Sequence, residues 1–220
     1  MNNLNTIEHF QRDRQKYSSL ILQSLPISLV IIRLCLSPLL LWDALDGTTS
    51  YWFIFSFVLA FLSDIFDGAI ARRIGVSTAA LRQADSLADV CLYLCIGISA
   101  WLVHPDVVTK FSIPLSLIIL MQLIWLVVNL AKYGKPASYH TYSAKAWGIT
   151  LFITTIALFV FNYAGVTLLM MIAVGCIYTL EEIAMTLILP DWTHDVLSIV
   201  HARKIVSYKK QCFQLNKIGS

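Results

Sequence analysis

Asp64-Ile65-Phe66-Asp67-Gly68-Ala69-Ile70-Ala71-Arg72, followed after twelve residues by Asp85-Ser86-Leu87-Ala88-Asp89, decides how the rest of the chain is read. The first run closes one apolar stretch and the second opens the next. Ionised side chains are costly in oily surroundings, so four carboxylates at the edge of two membrane spans need a compensating partner. A divalent cation is the partner that suits them best.

Working outward, the chain has 220 residues, of which 58% are hydrophobic and 13% charged, with a mean hydropathy of +0.72. That balance indicates a polytopic membrane protein and excludes a soluble globular one. A span needs about 20 mostly apolar residues. Six segments meet that need, near 25–45, 50–70, 86–104, 111–131, 146–163 and 166–189. The expected fold is therefore all-α: six transmembrane helices with a short amphipathic N-terminal helix. Residues 1–20 form a cytoplasmic or interfacial segment, 21–190 the six-helix membrane domain, and 191–220 a basic cytoplasmic tail. In the first segment Ile7, Phe10, Tyr17 and Leu20 alternate with Arg12, Arg14 and Lys16, a pattern suited to a helix lying in the interface. A disordered basic tail is the alternative. Its polarity gives no expectation of a cleavable signal peptide.

The net charge of +3 matters less than its distribution, and no nucleic-acid partner is expected. With six spans both termini share one side. Arg12, Arg14, Lys16, Arg72, Arg73, Arg82, Lys132, Lys135, Lys145, Arg203, Lys204, Lys209, Lys210 and Lys217 all fall there. The opposite loops hold only Lys110. Lys and Arg favour the cytoplasmic side, so both termini are expected in the cytoplasm. The five cysteines (Cys35, Cys91, Cys95, Cys176, Cys212) show no paired pattern, and four lie in apolar stretches where cysteine acts as a small hydrophobe.

This topology has a consequence for the aspartates. Asp64 and Asp67 end a span running toward the cytoplasm, and Asp85 and Asp89 begin the span running back. All four are then expected at similar depth near the cytoplasmic face. Residues three and four apart share a helix face. Asp64, Asp67, Gly68, Ala71 and Arg72 make one stripe, and Asp85 and Asp89 another. Two facing stripes bring four carboxylates into one cavity. Hard oxygen donors without His or Cys favour Mg²⁺ or Mn²⁺, and four carboxylates suit two ions, an arrangement common in phosphoryl-type displacement. Gly68 and Ala71 leave the stripe low enough for a ligand to approach the backbone, and Arg72 offers a fixed positive charge to phosphate. The bland alternative is a set of helix-end carboxylates sitting in headgroup water.

The pattern resembles the signature of the CDP-alcohol phosphotransferase family: DxxDGxxAR, eight residues, G, three residues, D, three residues, D. Pro26, Arg33 and Pro38 are similar to the Pro, Arg and Pro of that family's first span, so the resemblance covers roughly residues 20 to 190. One position departs: the second glycine is Leu81. In relatives that glycine lies near the nucleotide, so Leu81 would crowd or reshape the cytidine pocket, or simply repack locally.

The resemblance implies an enzyme that displaces CMP from a CDP-linked lipid by an acceptor hydroxyl. It implies metal binding by Asp64, Asp67, Asp85 and Asp89. Asp64, Gly68, Ala71 and Arg72 would bind the nucleotide and diphosphate, and Asp89 would be the general base. Spacing alone does not say which aspartate is the base. The implied donor is CDP-diacylglycerol and the partner a small polar alcohol: glycerol 3-phosphate, serine or an inositol-type acceptor. Asp85-Ser86-Leu87-Ala88-Asp89 is similar to the serine-accepting branch, yet Cys91-Leu92-Tyr93 stands where Ser-Phe-Gly usually follows. The glycerol-phosphate branch usually carries Pro and Lys where this chain has Ser86 and Val90. Arg33, Lys132, Lys135 and Lys145 are candidates for holding an acceptor phosphate. By analogy a homodimer is possible.

Charges inside spans call for partners. Arg33 and the pair Glu181–Glu182 lie at matched depth, so Arg33 is expected to pair with one glutamate. Gln122 and Asn129 are expected to hydrogen-bond between helices. Two rival functions are a divalent-cation transporter, and a family member whose activity is lost or altered at Leu81. Transporters favour midplane sites and inverted repeats, and this chain shows neither.

Overall fold

The structure is a computed structural model that describes residues 25–74 and 79–218. The expected N-terminal interfacial helix and the connection at 75–78 lie outside the described residues. Eight helices occur among those described: α1 Leu25–Asp43, α2 Tyr51–Ile74, α3 Ala79–Val103, α4 Pro105–Lys110, α5 Ser112–Tyr133, α6 Tyr142–Phe161, α7 Gly165–Ile188 and α8 Ile199–Ile218. No strand is present among them; the only β pairing is an isolated bridge between Ser138 and His194.

Five helices (α1, α3, α5, α6, α7) are long and apolar enough to cross a membrane. In α2 the apolar helix found among the described residues is Tyr51–Phe66. The 24 residues of α2 reach about 36 Å, more than the roughly 30 Å hydrocarbon core. The protein is thus a helical, multi-pass membrane protein.

Three boundaries differ from expectation. The helix α3 starts at Ala79 rather than near 86, so Asp85 and Asp89 lie well inside it. Ala79, Ala80, Leu81, Arg82, Gln83 and Ala84 are all good helix formers, and polarity limits a span without ending a helix. The loop 104–110 holds the short helix α4, with Pro105 at its start, Asp106 in its first turn and Lys110 in its last, each on the favoured end. The expected basic tail is largely the helix α8.

The chain divides into two compact units, residues 1–103 and 104–220. In the first, the buried stripe of α1 runs through Val30, Arg33, Ser37 and Leu40, and that of α2 through Phe53, Phe57, Ala60 and Ser63. On α3 the stripe is Arg82, Asp85, Ala88, Leu92, Cys95 and Ser99. Each follows the three-and-four spacing of one helix face. Ser37, Ser63 and Ser99 turn their hydroxyls back onto the carbonyls of Arg33, Ala60 and Cys95, at 2.7–2.8 Å. The polar group is thereby satisfied within its own helix, and a small side chain remains at the packed face. The opposite faces expose Ile31, Leu39, Phe55, Leu62, Leu87 and Leu94, as lipid contact requires. Trp42, Tyr51, Trp52 and Trp101 gather near the helix ends away from the aspartates, where an aromatic belt belongs.

In the second unit α7 is the central helix, packed against α5, α6 and α8. Gly175 permits close approach: a Cβ there would lie 2.7 Å from Trp147 Nε1 and collide with the terminal methyl of Ile118. The expected interhelical bonds are present. Gln122 Nε2 donates to Thr179 Oγ1 at 2.9 Å, and Thr186 Oγ1 donates to Asn129 Oδ1 at 3.2 Å. One end of α7 is tied to its surroundings. Ser143 Oγ donates to Glu181 Oε2 at 2.5 Å and Ile199 N–H donates to Glu181 Oε1 at 3.1 Å, so one carboxylate serves both α6 and the first turn of α8. The carboxylate also lies where the N-terminal dipole of α8 favours negative charge.

Candidate functional site

The site is built on α1, α2 and α3 within the first unit. Asp64 projects from α2, and Asp85 and Asp89 from successive turns of one face of α3. One carboxylate oxygen from each of the three lies within 4.8 Å of the others. Two neighbouring helices therefore bring their acidic groups together, as the stripe pattern requires.

A cation already stands among them. Arg33 of α1 is fully buried, and its Nη1 lies 3.2 Å from Asp64 Oδ1, 3.0 Å from Asp85 Oδ1 and 2.5 Å from Asp89 Oδ1. This overturns the expected pairing of Arg33 with Glu181 or Glu182. Glu181 instead accepts from Ser143 and Ile199. Matched depth identifies groups that could pair, but depth carries no information about which way around the helix each side chain faces. Three carboxylates in one place would repel one another strongly, and a guanidinium at their centre offsets much of that repulsion.

Exposure is unequal around this cage. The Asp85 side chain is 6% exposed, Asp89 23% and Asp64 35%. The cage thus opens on the side of Asp64 and Asp89, and Asp85 forms its floor. Arg82 is also buried on α3, one turn before Ser86, whose hydroxyl donates to the Arg82 carbonyl at 3.0 Å.

Asp67, Gly68, Ala71 and Arg72 all lie on α2, with Gly68 one turn past Asp64. The side chains of Asp67, Ala71 and Arg72 are outside the described part of the structure. Leu81 is half-buried on α3 and stands one helical turn before Asp85, on the Asp85–Asp89 face. The three candidate lysines lie in the second unit, each with a local partner. Lys132 Nζ donates to the carbonyls of Thr186 and Leu187 at 2.8 and 2.9 Å, closing the end of α7. Lys135 Nζ sits 3.8 Å from the centre of the Trp192 ring, and Lys145 Nζ 5.4 Å from that of Tyr142.

Arg33 was expected as a candidate for holding an acceptor phosphate; its place among the aspartates was not foreseen. Its signal was in the sequence all the same: a lone cation deep in an apolar helix needs an anion, and the largest anionic group in the chain is the four-aspartate motif.

A family model described as CDP-alcohol phosphatidyltransferase matches residues 23–190, most of the chain. The chain belongs to this family. No curated protein and no solved structure matches it. Membership identifies a CDP-alcohol phosphotransferase-type enzyme embedded in the membrane and acting on CDP-alcohol substrates. The family generally depends on divalent metal, and Asp64, Asp85 and Asp89 form a triad able to hold an ion. The donor set passes the chemical test for a hard cation: every candidate donor is a carboxylate oxygen, and they converge.

Proposed function

We propose that this protein transfers a phosphatidyl group from CDP-diacylglycerol to the hydroxyl of a small polar alcohol, releasing CMP, with Mg²⁺ or Mn²⁺ as cofactor. The convergence of Asp64, Asp85 and Asp89, in the spacing of the family motif, carries this reading. The acceptor oxygen attacks the lipid-bearing phosphorus, a new P–O bond forms, the anhydride P–O bond breaks, and CMP leaves with the electron pair. A divalent ion held by the carboxylates would neutralise charge building on the phosphate oxygens.

The chain's own residues have the remaining tasks. Asp64, Asp67, Asp85 and Asp89 are the proposed metal ligands, and four carboxylates suit two ions. Asp89 takes the proton of the acceptor hydroxyl as attack proceeds, because an alcohol is a weak nucleophile at neutral pH. Partial exposure of Asp89 is compatible with a base that must meet an incoming alcohol. Arg72 pairs with the diphosphate, and Gly68 and Ala71 let the nucleotide lie close to α2. A lipid donor explains the location: acyl chains stay in the bilayer while the diphosphate reaches the rim. The Lys and Arg distribution favours a cytoplasmic location for that rim and for both termini.

Purified protein given Mg²⁺ or Mn²⁺, labelled CDP-diacylglycerol and a panel containing glycerol 3-phosphate, serine and inositol derivatives tests the proposal. Release of CMP is expected with one acceptor and not with the others. Asp89→Asn is expected to reduce turnover about 10²–10⁴-fold, the usual contribution of a general base, with folding intact. Full activity in that variant would remove Asp89 from the base role. Metal flux into vesicles without CMP release would favour transport instead.

A further inference from the structure

Asp64, Asp85 and Asp89 each direct an Oδ1 at one atom, Arg33 Nη1, at 2.5–3.2 Å. A Mg²⁺ ion binds its oxygens at about 2.0–2.1 Å in near-octahedral geometry. The three Oδ1 atoms meet at Nη1 over longer distances than that, so an ion ligated by them would need them to draw inward onto the centre that Nη1 fills. Arg33 Nη1 and an ion ligated by the same three oxygens therefore exclude each other, by volume and by like charge. Burial strengthens the conflict, since Arg33 is fully buried and Asp85 nearly so, leaving little water to screen two cations.

The charges also match an exchange. Three ionised carboxylates and one guanidinium sum to a charge of −2, and the same three with a divalent ion in place of Arg33 sum to −1. The arginine thus holds the cage together without fully neutralising it, and a doubly charged ion holds it more tightly. Ser37, one turn along α1, donates to the Arg33 carbonyl at 2.8 Å. That bond lies within α1 and does not involve the guanidinium.

We propose that Arg33 is a resident cation that exchanges with metal: it keeps the three carboxylates assembled in the metal-free protein and must be displaced from Asp64, Asp85 and Asp89 when an ion loads. This rests on the proposed metal-dependent function and assigns Arg33 a positioning role within it. Arg33 raises the metal concentration needed for loading, and it prevents the empty cage from splaying apart.

The test measures metal binding and stability rather than turnover. Mn²⁺ affinity is read by electron paramagnetic resonance titration of the full-length protein in detergent, for wild type, Arg33→Gln and Arg33→Lys. Unfolding temperature is followed in chelator and in saturating Mn²⁺. Arg33→Gln is expected to bind Mn²⁺ at least tenfold more tightly than wild type. It is expected to melt lower than wild type in chelator, with the gap closing when Mn²⁺ is added. Arg33→Lys keeps the charge on a shorter reach and is expected to lie between; it also carries the test if the glutamine variant folds only with metal. Unchanged or weakened Mn²⁺ affinity in both variants overturns the exchange. Metal-dependent CMP release by the same wild-type preparation separates the two failures: if release persists, only the role of Arg33 is lost. If wild type neither binds Mn²⁺ nor releases CMP, the functional reading falls as well.

Discussion

Leu81 stands where the signature that this chain resembles carries its second glycine, and its position gives that difference a physical meaning. It lies one turn before Asp85, on the face that carries both α3 carboxylates. We propose that a branched side chain there narrows the approach to the carboxylates. Leu81→Gly is expected to tighten CDP binding, read by calorimetric titration of CDP in the presence of Mn²⁺. A loss of about 1 kcal/mol in stability should accompany it, since glycine is a poor helix former. Unchanged CDP affinity would mean that Leu81 is accommodated by local repacking. The meeting of Asp64, Asp85 and Asp89 was legible in the sequence because three-and-four spacing fixes a common helix face, and two helices with carboxylates at one depth have few ways to avoid meeting. The partner of Arg33 was not legible. Hydropathy gives the depth of a charge, whereas the direction it faces depends on how α1 is rotated against its neighbours, and that is settled by packing of Val30, Ser37 and Leu40.

Among elements, α7 shows how one small residue sets a helix's neighbours. Gly175 sits beneath Trp147, whose ring stacks on Tyr178 at 5.5 Å and is not readily moved. Gly175→Ala therefore overpacks the contact, at a cost of about 1–3 kcal/mol. The gain from removing glycine from a helix is about 0.5–1 kcal/mol and opposes it. A net loss of roughly 1 kcal/mol is expected, measured by thermal or denaturant unfolding in detergent; equal or greater stability would mean that Trp147 shifts freely. The spans themselves were legible because about 20 apolar residues in a row have few other uses. The start of α3, the helix α4 and the helix α8 were not. Each lies in polar sequence, where helix formation depends on propensity, end charges and docking rather than on hydropathy. In α8, Ala202 is fully buried while Arg203, Lys204 and Lys209 face outward, so one face is anchored by packing that a charge count overlooks.

For the whole molecule, the proposed orientation makes a direct prediction. In a background lacking the five native cysteines, Thr48→Cys should react with a membrane-impermeant maleimide in intact cells. Tyr208→Cys should react only after permeabilisation. The reverse pattern would place the carboxylates outside and deny them cytoplasmic nucleotide. The turn that carries Thr48 is itself closed by short-range bonds. Asp43 accepts from both the backbone and the hydroxyl of Ser50, at 2.9 and 2.6 Å, and Asp46 accepts from both groups of Thr48, at 3.0 and 2.9 Å. The Thr48 bonds hold the Asp46 carboxyl below its usual range. During biosynthesis this turn would have to be pulled through the bilayer between two apolar helices. Carboxylates that find their donors within seven residues can satisfy them during that passage, before α3 and the helices after it have been made, so the α1–α2 hairpin is equipped to insert as a single early piece.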